Sequence, residues 1–195
     1  VSVAALPARH PLIRALERLE HTLYRSAAGI VSVTDSFVDH FVAHGVAPDD
    51  IVVVKNGADL ELFDPETPPA PLRARLGVAD DELLVLFCGT LGMAHDVGLL
   101  ARAAAIAPAD LRVRFVIVGD GAGREAVASE IATLGVGDRV HLLPAVPRRE
   151  VPGLLAASDV SAVVLRDSPT FAGVLPSKIF EAMAMRRPIL LGVRG

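Results

Sequence analysis

From about residue 76 onward the sequence alternates between two kinds of segment, and this alternation limits the fold more than any other feature. Leu83–Phe87, Arg114–Val118, Val140–Leu143, Val160–Leu165 and Ile189–Val193 are short runs, apolar almost throughout. Stretches of helical length separate them, at about Asp96–Ala107, Arg124–Leu134, Arg149–Ala156 and Ser177–Met185. A strand open to water on one face alternates apolar with polar residues, whereas one that is apolar throughout is covered on both faces. Such strands, separated by helices, predict an α/β fold with a doubly wound parallel sheet. Ligands of such sheets gather beyond the carboxyl ends of the strands, so the loops there carry the functional information.

Upstream, Leu12, Leu16, Leu19 and Leu23 fall at the spacing of an amphipathic helix over about Pro11–Ala27. Gly29–Val33 reads as a strand. Thr34 or Asp35 caps a helix through Phe37, Phe41 and Val42 that ends near Gly45, and Asp50–Val54 reads as a further strand. From there to about Arg75 the chain is rich in proline and acids, with Pro65, Pro68, Pro69 and Pro71. That composition predicts an interdomain linker over 58–75, between the end of one domain at 1–57 and a second at 76–195. A strand over Pro188–Val193 with only Arg194 and Gly195 after it, and an equally abrupt start, lead us to expect an internal piece of a longer protein.

Three loops at the carboxyl edge hold unusual residues. Cys88-Gly89-Thr90-Leu91-Gly92 follows the first strand after the linker, and its glycines allow close backbone approach and leave amides free for phosphate. Gly119-Asp120-Gly121-Ala122-Gly123 opens a helix and resembles half of a dinucleotide fingerprint, although its spacing is G-x-G-x-G. Each is also compatible with an ordinary tight turn. The third is Val174-Leu175-Pro176-Ser177-Lys178-Ile179-Phe180-Glu181, where Pro176 stiffens a helix start and Ser177 is placed to cap it. Lys178 in the first turn opposes the helix dipole unless an anion sits there, and Glu181 suits a pair of sugar hydroxyls. A plain Lys178–Glu181 pair at i, i+3 explains the same residues.

Composition removes several classes of function. A net charge of −4 with no basic block, and only seven Phe and one Tyr, argue against nucleic acid as a partner. Cys88 is the only cysteine, so no internal disulfide forms and a cytoplasmic setting is favoured. No apolar run reaches the ~18 residues of a membrane span, which leaves peripheral contact at the inner face of the membrane open. His40 and His44 form an H-x-x-x-H without the glutamate of a zinc protease or a third ligand, so no metal is expected. His95 can reach a phosphate or simply start a helix.

The order of these motifs resembles the retaining GT-B glycosyltransferases of family four, closest to the bacterial subgroup that builds O-antigen and other surface polysaccharides. Val52-Val53-Val54-Lys55-Asn56-Gly57-Ala58-Asp59 through Phe63-Asp64-Pro65 is similar to that family's passage into its second domain. Gly89–His95 is similar to its "G-x-x-G-x-A-x" loop and Val118-Gly119-Asp120-Gly121 to "V-G-x-G". Pro176–Ala184 with Pro188 is similar to "P-S-K-x-F-E-x-M-A-x-x-x-P". The resemblance implies a Rossmann-like nucleotide-binding second domain, preceded here by the tail of the acceptor-binding first domain. It implies a nucleotide-sugar donor, UDP-linked, a glycan or lipid-linked acceptor, no cofactor, and retention at the anomeric carbon.

Carried over by position, Glu181 holds the ribose hydroxyls, Gly89 and Gly92 bring amides to the pyrophosphate, Gly119 makes room for base and ribose, and Ala145 with Val146 meets the base edge. Asp120 and Gly173–Ser177 fall in the same loops. Two departures stand out. Gly173 occupies the position of a donor-sugar glutamate, and Thr90 and His95 stand where the family tends to have an arginine and a lysine. Lys178 is then the expected substitute cation for the leaving diphosphate. Rival expectations are a UDP-N-acetylhexosamine epimerase and a non-catalytic nucleotide-sugar binding module.

Overall fold

The computed structural model describes residues 10–171 and 173–193. These form two compact units, one of residues 10–56 with Gly173–Leu175 and the other of residues 57–171 with 176–193.

In the first unit, α1 (Pro11–Ser26) begins at His10, whose Nδ1 accepts the Leu12 amide at 3.2 Å, with Pro11 in the first turn. A short parallel pair follows, β1 (Ile30–Ser32) beside β2 (Ile51–Val53), in register Ile30 to Ile51. Between the strands, Thr34 caps a 3₁₀ turn by accepting the Ser36 amide, and the turn runs into α2 (Val38–Ala43). The leucine stripe of α1 exists as its periodicity predicts, yet Leu12, Leu16, Leu19 and Leu23 are each more than half exposed.

In the second unit, strands β3 (Leu83–Cys88), β4 (Val113–Val118), β5 (Val140–Leu143), β6 (Val160–Val164) and β7 (Ile189–Gly192) form one parallel sheet in the order β5-β4-β3-β6-β7. The expected α/β class and parallel sheet are what forms. Strand residues alternate between two cores, which is why the strands read as apolar throughout. Phe87, Ile117 and Val85 pack with Leu100 of α4 (Gly98–Ile106) and Ile131 of α5 (Arg124–Leu134). Leu84, Leu86 and Val116 pack on the other side with Leu155 of α6 (Val151–Ala157) and with Met185, which follows α7 (Lys178–Ala184). The strand order reverses between β3 and β6, so Gly89, just after β3, leads into the switch point of the sheet.

The segment 58–75, expected as a linker, is folded into the second unit. Phe63 and Leu72 are each 1% exposed in the core, and 72–76 form the short helix α3 (Leu72–Leu76). Asp59 accepts the amides of Glu61 and Leu62, Asp64 accepts that of Glu66, and the Ala70 amide donates to Gly153 O at 2.8 Å. The acids that suggested a solvated linker are therefore turn-forming groups. The division between units falls at Asn56 and Gly57.

Candidate functional site

The loops after β3, β4 and β5 meet α7 and Phe63 around a cleft of about 310 Å³. The first two loops are interlocked by backbone hydrogen bonds. Gly89 N donates to Val118 O at 2.9 Å, Leu91 N to Asp120 O at 2.8 Å and Gly123 N to Leu91 O at 2.7 Å. Arg124 ties the loop bases together by donating to Gly119 O and Leu143 O. Gly119 is demanded by this approach, because a Cβ there would lie 1.9 Å from Gly89 O. Gly89 itself has φ +147°, a backbone region that disfavours side chains.

Lys178 lies under the first of these loops. Its Nζ is 4.1 Å from the Phe87 ring centroid and 2.8 Å from where a Cβ on Gly89 would be. The ammonium is buried and has no hydrogen-bond partner among the described residues. Burial pushes its pKa below the ordinary value, against the pull of Cys88 and Glu181. His95 Nδ1 is likewise buried without a partner, and burial followed by the Lys178 charge holds the imidazole pKa down. Burial pushes the Cys88 thiol up to about 11, with the Lys178 charge acting the other way. A Gly89 side chain would strike the ammonium, so the missing Cβ makes room for the cation.

Glu181 is treated differently. Its Oε1 is 3.3 Å from Nη2 of Arg148, and the Arg148 guanidinium carbon stands 5.5 Å from the Phe63 ring centroid. The i, i+3 pair with Lys178 does not form; α7 gives Glu181 to Arg148 and leaves Lys178 alone.

Seven of the expected residues line the cleft: Gly89, Thr90, Gly119, Asp120, Ala145, Val146 and Glu181. Gly92 and His95 line a neighbouring hollow of about 320 Å³ with Asp96, Glu130 and Arg166. Gly173, Val174 and Leu175 group with the first unit, where a Cβ on Gly173 would stand 2.9 Å from Ser36 Cβ. Pro176 is buried and Ser177 exposed.

Two local expectations need correcting. Ser177 makes no side-chain cap bond, because its backbone is already helical at φ −59° and ψ −28°, and capping geometry requires an extended residue. The Gly89 amide is not free for phosphate, since it extends the β3–β4 hydrogen bonding to Val118 O. The amides of Thr90 and Gly92 donate to no backbone carbonyl among the described residues.

Sequence reasoning did not assign Phe63, Cys88, Val118, Arg148 or Val151 to the site, although all line the cleft. Phe63 lies in the passage similar to the family's domain junction, and its aromatic ring was a usable signal. Arg148 had none, because its place depends on the 3₁₀ turn at Arg148–Glu150 that precedes α6. Among the described residues, no group of three or more His, Cys, Asp or Glu is placed to hold a metal ion, and no helix is long and apolar enough to cross a membrane.

Comparison with known proteins agrees with this architecture. Residues 82–193 match the family described as glycosyl transferases group 1, and residues 2–57 match a glycosyl transferase 4-like domain. A D-inositol 3-phosphate glycosyltransferase of Xylanimonas cellulosilytica is 34% identical over 156 residues, which is 74% of this chain and 36% of the relative. Among solved structures, HepE of Anabaena in complex with UDP and glucose superposes with a TM-score of 0.74 at 26% identity, over 89% of this chain and 47% of that one. WaaG, a glycosyltransferase involved in lipopolysaccharide biosynthesis, gives a TM-score of 0.77 at 20% identity over 94% of this chain and 50% of that one, a likeness of fold. The chain thus spans half or less of the length of these proteins. The fold is that of the GT-B glycosyltransferases, and the chain belongs to the group 1 glycosyl transferases.

Proposed function

We propose that this chain carries the donor half of a retaining glycosyltransferase that moves a hexosyl group from a UDP-sugar to a glycan or lipid-linked acceptor in surface-polysaccharide synthesis. The observation that carries the reading is the buried, unpartnered ammonium of Lys178 beside a cleft that also holds Glu181. An ammonium without a partner is costly, and an anion at the adjacent loop relieves that cost. In the proposed complex, Ala145 and Val146 meet the base, Gly119 leaves room for the nucleoside, and Glu181 accepts from the ribose hydroxyls. Thr90 then offers its amide to the diphosphate in place of Gly89. Asp120 frames the cleft beside Gly119, and the Gly92–His95 turn and the Gly173–Ser177 loop are assigned to the donor by their place in the family motifs alone.

As the bond from the anomeric carbon to the β-phosphate oxygen breaks, negative charge collects on the departing diphosphate. Lys178 is placed to stabilise it, and a charge-assisted contact of this kind is worth ~2–4 kcal/mol in a transition state. The same cation does the work a metal would otherwise do, so we propose no cofactor. UDP in the solved HepE complex supports the choice of nucleotide. A donor of this kind and a lipid-linked acceptor place the reaction in the cytoplasm, at the inner face of the membrane.

One observation favours a second acceptor. The Xylanimonas cellulosilytica relative is named for D-inositol 3-phosphate, which makes a polyol phosphate the alternative to a glycan or lipid. Incubating the whole protein with UDP-sugars and each acceptor separates the readings. Transfer, or slow donor hydrolysis without acceptor, supports the proposal; an epimerised donor, or binding without turnover, overturns it.

A further inference from the structure

The pair between Arg148 and Glu181 occupies the carboxylate that the proposed ribose contact requires. A carboxylate accepting from two neighbouring hydroxyls uses both oxygens, and Oε1 is the one within 3.3 Å of Arg148 Nη2. The two partners are unequal. The Glu181 side chain is 18% exposed and fixed on α7, whereas that of Arg148 is 65% exposed and opens a short 3₁₀ turn. Arg148 also has a second resting contact, its guanidinium lying over the ring of Phe63, which is itself 1% exposed in the core. Phe63 thus gives the guanidinium a fixed platform at the cleft wall, within reach of the carboxylate.

We infer that Arg148 is a latch on the nucleotide site, holding Glu181 in the empty cleft and yielding it when ribose hydroxyls arrive. The inference rests on the reading in which Glu181 holds the ribose. Arg148 is a positioning residue here: it competes with the nucleoside for Glu181, and Phe63 keeps it close enough to return. An ion pair this exposed is weak, so the latch tunes affinity and does not block entry.

The latch has a signature that a simple ligand contact lacks. Salt screens the Arg148–Glu181 pair, so uncharged uridine binds more tightly as salt rises, whereas UDP, drawn by the Lys178 charge, binds less tightly. Titrating the chain with uridine and with UDP at low and high salt, for wild type, Arg148→Ala and Glu181→Gln, tests this. The latch predicts that Arg148→Ala tightens uridine binding by about two- to fivefold at low salt and makes it insensitive to salt. In Glu181→Gln the salt response to uridine is lost as well. Uridine binding that is unchanged or weakened in Arg148→Ala overturns the latch and leaves the nucleotide reading standing. If neither uridine nor UDP binds any of the three proteins, the nucleotide reading falls and the latch with it.

Discussion

Lys178 and Glu181 are one turn apart on α7, yet the fold meets their charges in opposite ways. The region under Gly89 keeps a cation buried against Phe87 with no hydrogen-bond partner among the described residues. The region at the cleft wall gives the carboxylate an arginine standing on an aromatic ring. The first arrangement is costly until an anion arrives, and the second is satisfied until something displaces it. The difference teaches that the two ends of a nucleoside diphosphate face different tasks: the diphosphate end fills a vacancy in charge, and the ribose end replaces a partner.

The harshest way to break this contrast is to break the scaffold that both regions share. Gly119→Ala drives a Cβ into Gly89 O, a backbone atom that cannot swing aside. We expect a loss of about 3 kcal/mol or more in a urea melt, with UDP binding lost alongside. Lys178→Met attacks one side only. UDP affinity falls about thirtyfold by calorimetry, as expected for a lost charge-assisted contact, uridine affinity is unchanged, and the melting temperature does not fall. Glu181→Gln attacks the other, weakening uridine and UDP by the same factor, about five- to tenfold.

The contrast shows how far the sequence could be read. The sheet was legible because its central strands β3, β4 and β6 are buried on both faces and so contain few polar residues, while the edge strand β7 is apolar although Leu190 and Leu191 are half exposed. The glycines at 89 and 119 were legible as close-approach positions for the same reason, since the backbones that need them sit at strand ends. The seating of Lys178 was half legible: a cation in a first turn announced a conflict, but not that Phe87 would lie beneath it. Arg148 and Phe63 were not legible. They are 85 residues apart, and only the folding of segment 58–75 onto α6 brings them together. Proline and acid content cannot tell a solvated linker from a run of turns docked on a core, and here the burial of Phe63 and Leu72 decided the matter. Ser177 misled because the cap residue type was present without the extended backbone that capping needs.

A smaller effect sharpens the same comparison through pH. Burial holds the Lys178 pKa below its ordinary value of 10.5, and only the ammonium attracts a diphosphate. As pH rises through that lowered value the folded protein gives up the proton, and UDP affinity falls several-fold while uridine affinity holds. Over the same window the unfolded chain still keeps its proton, so it binds more protons than the folded one and stability rises with pH up to 10.5. Lys178→Met abolishes both trends. A Cys88 thiol at about 11 remains slow toward alkylating reagents at pH 8 throughout, by about a hundredfold against a free thiol.

The most direct test of the account is a crystal structure of the chain with UDP. We expect the diphosphate within hydrogen-bonding distance of Lys178 Nζ and the Thr90 amide, both ribose hydroxyls on Glu181, and Arg148 moved off that carboxylate. A cleft left empty at saturating UDP, with Lys178 still unpartnered and Arg148 still on Glu181, contradicts it.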